Sequence, residues 1–230
     1  MPLIELAGVG HTYGTGTTAR TVLRDVDLRL GERRVGVIGA NGSGKSTFAR
    51  LLNGLVLPTA GRVSVDGLDT RGDGKAVRRK VGFVFTDPDA QIVMPTVAED
   101  IGFGLRRRGL DRREVQQRVE AALASYGLAG HRDHPAHLLS GGQKQLLALA
   151  SVLVTEPEVL VMDEPTTLLD LANTRRIADV VASLPQQVLL VTHQLDLVTG
   201  FDRVLVFDDG AVVFDGLPAD AVAHYRKLVT

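Results

Sequence analysis

A glycine-rich loop between a short apolar strand pattern and a helical pattern constrains this chain more than any other feature. The loop runs from Gly39 to Thr47 and matches the motif G-x-x-x-x-G-K-[ST]. The apolar run before it ends at Ile38, and the helical pattern after it begins near Lys45. A strand, such a loop and a helix in this order predict a site that binds phosphate groups through the backbone.

The residue types of this loop suit that chemistry. Glycines let backbone N–H groups turn inward around phosphate oxygens, and the following helix adds the positive end of its dipole. Lys45 supplies a positive charge to the outer phosphates, and Ser46 supplies a hydroxyl to Mg²⁺. The predicted nucleotide-binding residues in the loop are Gly39, Asn41, Gly42, Ser43, Gly44, Lys45, Ser46 and Thr47.

A second apolar strand pattern ends in two carboxylates. The run Val159–Met162 is followed by Asp163 and Glu164. An aspartate at the end of a central strand beside the phosphate loop can complete the ligand shell of Mg²⁺. Because neighbouring side chains alternate along a strand, Glu164 points elsewhere and suits a general base for attack of water on the γ-phosphate. The metal ligands predicted from these residues are therefore Ser46 and Asp163.

Strand and helix patterns alternate along most of the chain, which predicts an α/β fold with a mostly parallel sheet and covering helices. The first two strand patterns follow one another with no helix between them and predict a separate antiparallel layer. The stretch 95–138 has no strong strand signal, so we expect a helical subdomain inserted into an α/β core of residues 1–94 and 139–230, within one domain. Predicted strands are Leu3–Val9, Val22–Leu30, Arg34–Ile38, Arg62–Val65, Val81–Phe85, Val159–Met162, Val188–Val191, Arg203–Phe207 and Ala211–Phe214; predicted helices are Lys45–Leu55, Val97–Arg107, Arg112–Tyr126, Gly142–Thr155, Leu171–Ser183 and Ala219–Leu228.

Composition excludes several classes of protein. The chain has no cysteine, which removes a disulfide framework, a thiolate metal site and a cysteine nucleophile. Its 26 basic and 27 acidic residues nearly cancel, so no polycationic surface for nucleic acid is expected. No apolar run approaches the roughly 20 residues of a membrane span, and no signal peptide is visible at Met1. These features predict a soluble cytoplasmic protein that reaches a membrane only through a partner.

The segment Leu139–Gln143, which reads Leu-Ser-Gly-Gly-Gln, makes a family resemblance specific. It lies between the phosphate loop and the carboxylate strand, and Thr167–Asp170 follows that strand. With these motifs in this order over nearly all 230 residues, the chain resembles the ATP-binding subunit of an ATP-binding cassette (ABC) transporter. The resemblance implies a P-loop ATPase of the ABC type, with ATP and Mg²⁺ as ligands and hydrolysis coupled to transport.

The same resemblance implies roles for residues outside the phosphate loop. Tyr13 is expected to stack on adenine, and His193 to contact the γ-phosphate and the attacking water beside Glu164 and Lys45. The signature residues Ser140, Gly141, Gly142 and Gln143 are expected to contact ATP held by a second subunit, because one subunit of this fold cannot wrap both of its sites around one nucleotide. A head-to-tail dimer follows, with a partner cassette that is either a copy of this chain or a different one.

The chain departs from the family pattern after the predicted strand Val81–Phe85. Most members carry a glutamine there that reaches Mg²⁺ and the water, whereas this chain has Thr86, and its nearest glutamine is Gln91. A threonine hydroxyl can ligate Mg²⁺ but lacks the reach of an amide. We therefore expect Thr86 to take the metal-side role weakly, and whether Thr86 or Gln91 replaces the glutamine stays open at this point.

The run Asp87–Val93 resembles the energy-coupling factor (ECF) class of vitamin and metal-ion importers, which carry an Asp-Pro-Asp-x-Gln run here. This resemblance implies a transmembrane coupling subunit that docks near Thr86–Asp100, and a small membrane subunit that binds the substrate. Asp87, Asp89 and either Glu99 or Asp100 are candidate acidic contacts for arginines of the coupling subunit. Biotin is the favoured cargo and cobalt the next, with the chain at the cytoplasmic face of the membrane.

Two other functions compete with this one. A soluble ABC ATPase is the first, and length alone leaves an iron–sulfur cluster assembly ATPase open, although the Asp87–Val93 run argues against it. A binding-only cassette that has lost its chemistry is the second. The intact Lys45, Asp163, Glu164 and His193 argue against that alternative, while Thr86 keeps it open.

Overall fold

A computed structural model of the protein describes residues 1–106 and 108–230. Ten strands and seven α-helices are formed within these ranges. The strands are β1 Ile4–Tyr13, β2 Arg20–Leu30, β3 Arg34–Gly39, β4 Ala60–Val65, β5 Leu68–Asp69, β6 Val81–Val84, β7 Val159–Asp163, β8 Gln187–Val191, β9 Arg203–Asp208 and β10 Ala211–Gly216. The helices are α1 Lys45–Leu52, α2 Gly74–Lys80, α3 Val97–Phe103, α4 Arg112–Ser125, α5 Gly141–Leu153, α6 Leu171–Ser183 and α7 Pro218–Leu228.

The chain divides into two compact units. The first contains residues 1–82, 158–164 and 184–230, and the second contains residues 83–157 and 165–183. The second unit therefore extends beyond the predicted helical insertion at 95–138 on both sides, and it includes the long helices α5 and α6. The sequence does not distinguish an apolar helix that packs against other helices from one that covers a sheet.

The strands form two sheets. A four-stranded sheet has the order β2-β1-β4-β5, and β1 pairs antiparallel with both β2 and β4. This is the antiparallel layer that the two early strand patterns predicted. The six-stranded sheet has the order β10-β9-β3-β8-β7-β6. Within it, β9, β3, β8 and β7 run parallel, and β10 pairs antiparallel with β9.

Burial explains why the parallel strands read as continuous apolar runs. Every residue of β3, β7 and β8 is buried, as expected for strands that are covered on both faces. On one side, Phe48 of α1 packs against Phe207 of β9, with ring centroids 4.9 Å apart and both rings fully buried. The carboxyl ends of β3, β7 and β8 thus lie at one edge of a rigid sheet, where ligands of open α/β sheets bind.

The second unit is built from helices. Helix α3 packs against both α4 and α5. Two of these helices carry strong N-terminal caps: Asp111 accepts a hydrogen bond from the Glu114 amide at the start of α4, and Ser140 caps α5. The apolar residues of α5 from Leu146 to Ala150 are buried, which accounts for its long hydrophobic run.

Most predicted elements are present, and the differences have simple causes. Helix α2 was missed because Val77 is its one buried residue, and the two-residue strand β5 is too short to carry a pattern. Helix α3 ends at Phe103, whereas the prediction ran to Arg107, a residue that lies outside the described ranges. Within those ranges, none of the helices has the length and apolar character needed to cross a membrane.

Candidate nucleotide-binding site

The phosphate loop follows the buried strand β3 and has three glycines with positive φ: 150° at Gly39, 82° at Gly42 and 102° at Gly44. A Cβ at Gly39 would lie 2.2 Å from the Phe207 carbonyl oxygen, and one at Gly44 would lie 2.8 Å from the Val22 carbonyl oxygen. A Cβ at Gly42 would meet nothing within 4 Å. Close packing therefore requires two of the glycines, and backbone conformation alone favours the third.

Lys45 is the first residue of α1, and only 6% of it is exposed. Its Nζ donates hydrogen bonds to the carbonyl oxygens of Gly39 at 2.7 Å and Ala40 at 2.8 Å. Burial lowers the pKa of Lys45, and the negative charges of Glu164 and Asp163 oppose that shift. The ammonium group is thereby fixed across the loop, where it can attract the outer phosphates of a nucleotide.

Ser46 and Asp163 form the second contact of the site. The Ser46 hydroxyl donates a hydrogen bond of 2.8 Å to Asp163 Oδ1, and the side chain of Asp163 is 1% exposed. Burial raises the pKa of Asp163, while the bond from Ser46 and the charge of Arg50, 3.6 Å away, oppose the shift. A buried carboxylate beside a hydroxyl is an oxygen pair that fits a small hard cation, which commonly takes one or two protein ligands and completes its shell with phosphates.

Glu164 lies just beyond the end of β7 in a left-handed conformation, with φ of 51°. Its amide donates to the Val191 carbonyl oxygen at 3.0 Å, which fixes it beside the end of β8. Glu164 Oε2 accepts from the His193 amide at 3.3 Å and lies 2.8 Å from His193 Nδ1. The imidazole orients a carboxylate whose side chain is 13% exposed, so the pair can accept a proton at a defined position.

Tyr13 stands at the rim of the same site, 41% exposed. Its hydroxyl lies 3.4 Å from Thr47 Oγ1, and its ring meets the buried ring of His11 edge-on. A cleft of about 420 Å³ runs from Tyr13 to Glu164 across the phosphate loop. Its lining residues are Tyr13, Arg20, Val22, Asn41, Gly42, Gly44, Lys45, Ser46, Thr47 and Glu164.

The cleft is lined by seven of the nine nucleotide-binding residues predicted in the first unit, and the other two, Gly39 and Ser43, are buried. Arg20 and Val22 of β2 were missed. Arg20 pairs directly with Tyr13 in the antiparallel register of β1 and β2. The signal that could have found it is this cross-strand register, which the sequence alone does not fix where the pairing contains bulges.

The signature residues belong to the second unit and begin α5. Ser140 Oγ accepts a hydrogen bond from the Gln143 amide at 3.3 Å, and Gln143 Oε1 accepts from the Ser140 amide at 2.9 Å. These two bonds form a capping box, which leaves the Ser140 hydroxyl proton directed to other acceptors. A Cβ at Gly142 would lie 2.3 Å from Asn173 Oδ1, whereas one at Gly141 would meet nothing. A side chain at position 142 would therefore displace the Asn173 side chain, and Gly141 keeps the helix start open to an anion.

The segment after β6 contains Gln91, the glutamine nearest to Thr86. Gln91 Oε1 accepts from the Phe85 amide at 3.1 Å, and its Nε2 donates to the Ala148 carbonyl oxygen at 2.8 Å. Its amide is therefore bound to two backbone groups of the second unit. Thr86 is partly exposed, and the structure leaves its metal-side role as a prediction.

The prediction of Asp100 as an acid for a docking partner is wrong. Asp100 is 3% exposed, and its Oδ1 accepts from the amides of Val93 at 2.9 Å and Met94 at 3.1 Å. Its Oδ2 accepts from the Ser151 hydroxyl at 2.8 Å. An acid that follows a cap residue such as Thr96 looks exposed in sequence, but here the loop before the helix folds over it. Asp87, Asp89 and Glu99 remain exposed.

Comparison with known proteins places the chain in a family. A family model described as ABC transporter matches residues 23–167. The chain belongs to the ABC transporter ATPase family. The matched range begins in β2 and contains the phosphate loop, the signature and both carboxylates of the Asp163–Glu164 pair. The predicted family, fold and ATPase class are therefore confirmed, and the chain is an ATP-binding enzyme of this family.

Two relatives narrow the resemblance. The biotin transport ATP-binding protein BioM of Rhizobium etli is 48% identical over 225 residues, which cover 98% of each chain. The energy-coupling factor transporter ATP-binding protein EcfA1 of Caldanaerobacter subterraneus subsp. tengcongensis is 41% identical over 235 residues, which cover 98% of this chain and 84% of the relative. The resemblance to ECF ATPases inferred from Asp87–Val93 is confirmed by these relatives.

Two solved structures have the same fold. The protein cbiO1 from Clostridium perfringens, part of the ABC transporter complex cbiONQ, has a TM-score of 0.84 and 31% identity over 98% of this chain and 92% of its own. The ATP-binding cassette MJ0796, in a dimeric post-hydrolysis state with ADP and Pi, has a TM-score of 0.83 and 28% identity over 94% of this chain and 98% of its own. The fold of this chain is thus that of an ABC ATPase.

Proposed function

We propose that the chain is the ATP-hydrolysing subunit of an ECF-type importer whose cargo is biotin, with cobalt as the second candidate. The observation that carries the proposal is the end-to-end similarity to a biotin transport ATPase at 48% identity, together with a complete hydrolytic pair at Glu164 and His193. The neighbour cbiO1 is part of an ABC transporter complex, which supports a membrane assembly.

The geometry of the cleft in the first unit supports a separate role for each of its residues. Tyr13 stacks on adenine, the loop backbone holds the phosphates, and Lys45 neutralises the outer phosphate oxygens. Glu164 accepts a proton from the attacking water while His193 keeps its carboxylate oriented. Ser46 and Asp163 are the residues that would hold Mg²⁺, which supplies positive charge to the phosphate oxygens when bound.

The signature supports a dimer that closes on ATP. Ser140, Gly141, Gly142 and Gln143 present a capped helix start, where a phosphate of ATP held by a second cassette can bind. In this proposal ATP favours the closed dimer and hydrolysis releases it, which is a shift of population set by differential binding. The exposed Leu168, in the loop that follows the carboxylate pair, is a further candidate for this interface.

The partners proposed are a second ATPase subunit, a transmembrane coupling subunit and a small membrane subunit that binds the cargo. The coupling subunit would dock near residues 86–100, with Asp87, Asp89 and Glu99 as the exposed acids. The chain would then work at the cytoplasmic face of the membrane. Thr86 keeps its proposed weak contact to the metal, and unchanged ATPase activity in Thr86→Ala would remove that role.

The catalytic proposal is tested with Glu164→Gln. Removal of the base should abolish turnover while ATP still closes the dimer, so the variant should elute as an ATP-dependent dimer in gel filtration. The matched control is Glu158→Gln, an exposed carboxylate next to β7 that pairs with Lys80 and should keep full activity. Full ATPase activity in Glu164→Gln would refute its role as the base.

The transport proposal is tested by purification of the tagged chain from its native membrane. Recovery with a transmembrane protein and a small membrane protein that retains biotin is the expected result; retention of cobalt instead would select the second cargo. Recovery of no membrane protein would refute the importer. Recovery with soluble iron–sulfur proteins would favour the assembly ATPase.

A further inference from the structure

The side chain of Gln91 connects the segment Phe85–Gln91 of the second unit to the signature helix α5. Gln91 accepts a hydrogen bond from the Phe85 amide and donates one to the Ala148 carbonyl oxygen. The first bond closes the segment on itself, and the second ties it to the middle of α5. Because Gln91 joins two backbone groups, its side chain fixes the distance between the segment and the helix.

A second group of contacts fastens the segment near the start of α5. Lys144 directly follows the signature, and its Nζ lies 2.7 and 3.0 Å from the two carboxylate oxygens of Asp89. Gln145 Nε2 donates to the Phe85 carbonyl oxygen at 3.4 Å. The side chain of Lys144 is 16% exposed, so its ion pair with Asp89 is shielded on the lysine side.

The segment itself is held in one turn. Asp87 accepts from the Asp89 amide at 2.9 Å, and the buried Pro88 fixes the backbone between them. These contacts join a rigid turn to a helix. A displacement of the segment therefore also displaces α5. The displacement then reaches the signature, because Ser140 and Gln143 of the signature form the capping box at the start of this helix.

We propose that Gln91 and the Asp89–Lys144 pair are positioning residues for the signature. The inference rests on the proposed function, in which the signature contacts ATP held by a second cassette. Through these contacts, the segment where the coupling subunit is proposed to dock acts on the partner's nucleotide. The chain uses its glutamine here, as a tie to α5, and not at position 86.

The first test measures ATP-dependent dimerisation in the Glu164→Gln background by sedimentation. Gln91→Met keeps the size of the side chain and removes both hydrogen bonds, so the dimer dissociation constant should rise about five- to tenfold. The affinity of the monomer for ATP should not change, because the phosphate loop lies in the other unit. The control is Arg118→Ala, which breaks a two-carboxylate ion pair of the same unit and should leave dimerisation unchanged.

Charge reversal separates positioning from loss of folding. Asp89→Lys should weaken the dimer because it faces Lys144, and the double variant Asp89→Lys with Lys144→Asp should recover most of the loss. An unchanged dissociation constant in Gln91→Met, or no recovery in the double variant, would overturn the inference.

A second measurement does not depend on the dimer. Hydrogen exchange of the peptide over 139–145 in the nucleotide-free chain reports the capping box directly. Exchange should be faster in Gln91→Met and in Asp89→Lys than in the parent, and restored in the double reversal. Equal exchange rates in the parent and in Gln91→Met would overturn the inference, whether or not the parent dimerises. Failure of the parent to dimerise would by itself refute only the proposed dimer.

Discussion

Asp100 offers a prediction whose magnitude follows from the structure. The sequence suggested an exposed acid for a membrane partner, whereas the folded chain buries this carboxylate with three hydrogen-bond donors. Replacement by alanine removes the acceptor for the amides of Val93 and Met94 and for the Ser151 hydroxyl. Replacement by asparagine keeps one acceptor oxygen for the amides, and its NH₂ group can donate to the hydroxyl.

Hydrogen bonds to a charged group contribute about 1.5–3 kcal/mol each. The sum over the three hydrogen bonds overstates the loss in the free energy of unfolding, because Val93 is 62% exposed and water can solvate its amide. We therefore expect Asp100→Ala to lower the free energy of unfolding by about 3 kcal/mol, and Asp100→Asn by about 1 kcal/mol. The ratio of the stability losses in the two variants is the more decisive quantity, because both variants remove the same charge.

Urea unfolding followed by far-UV circular dichroism measures both values, because α3, α4, α5 and α6 of the second unit dominate the helical signal. Glu99→Ala is the matched control: it removes an exposed acid of the same helix that forms the capping box with Thr96, so a loss of about 0.5–1 kcal/mol is expected. A loss below 0.5 kcal/mol for Asp100→Ala, about the scatter of an ordinary surface substitution, would refute the structural role. Normal stability with loss of the membrane partner in Asp100→Asn would restore the docking role.

Three further predictions concern the first unit. Gly39→Ala should lower stability by about 2 kcal/mol or more and abolish ATP binding, measured by calorimetry, because its Cβ would clash with the Phe207 carbonyl; normal binding would contradict the packing argument. Tyr13→Ala should weaken ATP binding about tenfold while Tyr13→Phe retains it, so equal losses would implicate the hydroxyl. The hydrogen bond from Lys80 lowers the pKa of Asp66, so this pair stabilises the fold fully above the usual pKa of an aspartate, and the stabilisation is lost as the pH falls through the lowered pKa. The loss of unfolding free energy caused by Lys80→Met should therefore shrink as the pH is lowered. A loss that stays constant with pH would refute the linkage.

The contiguous motifs were readable without the fold. The phosphate loop works through the backbone of nine successive residues, so its sequence carries its chemistry from Gly39 to Thr47. The strand before Asp163 was visible because a strand buried on both faces is apolar throughout. The early antiparallel layer followed from two strand patterns without a helix between them. These features depend on local geometry, which residue type and spacing express directly.

Tertiary structure alone decided which separated side chains meet. The 2.8 Å contacts from Ser46 to Asp163 and from Glu164 to His193 join residues that follow different strands, and only the parallel order of β3, β8 and β7 brings those ends together. The two hydrogen bonds of Gln91, from the Phe85 amide and to the Ala148 carbonyl oxygen, likewise could not be read from the sequence. Burial of a polar side chain depends on what the rest of the chain places over it, and no local pattern of residues encodes that.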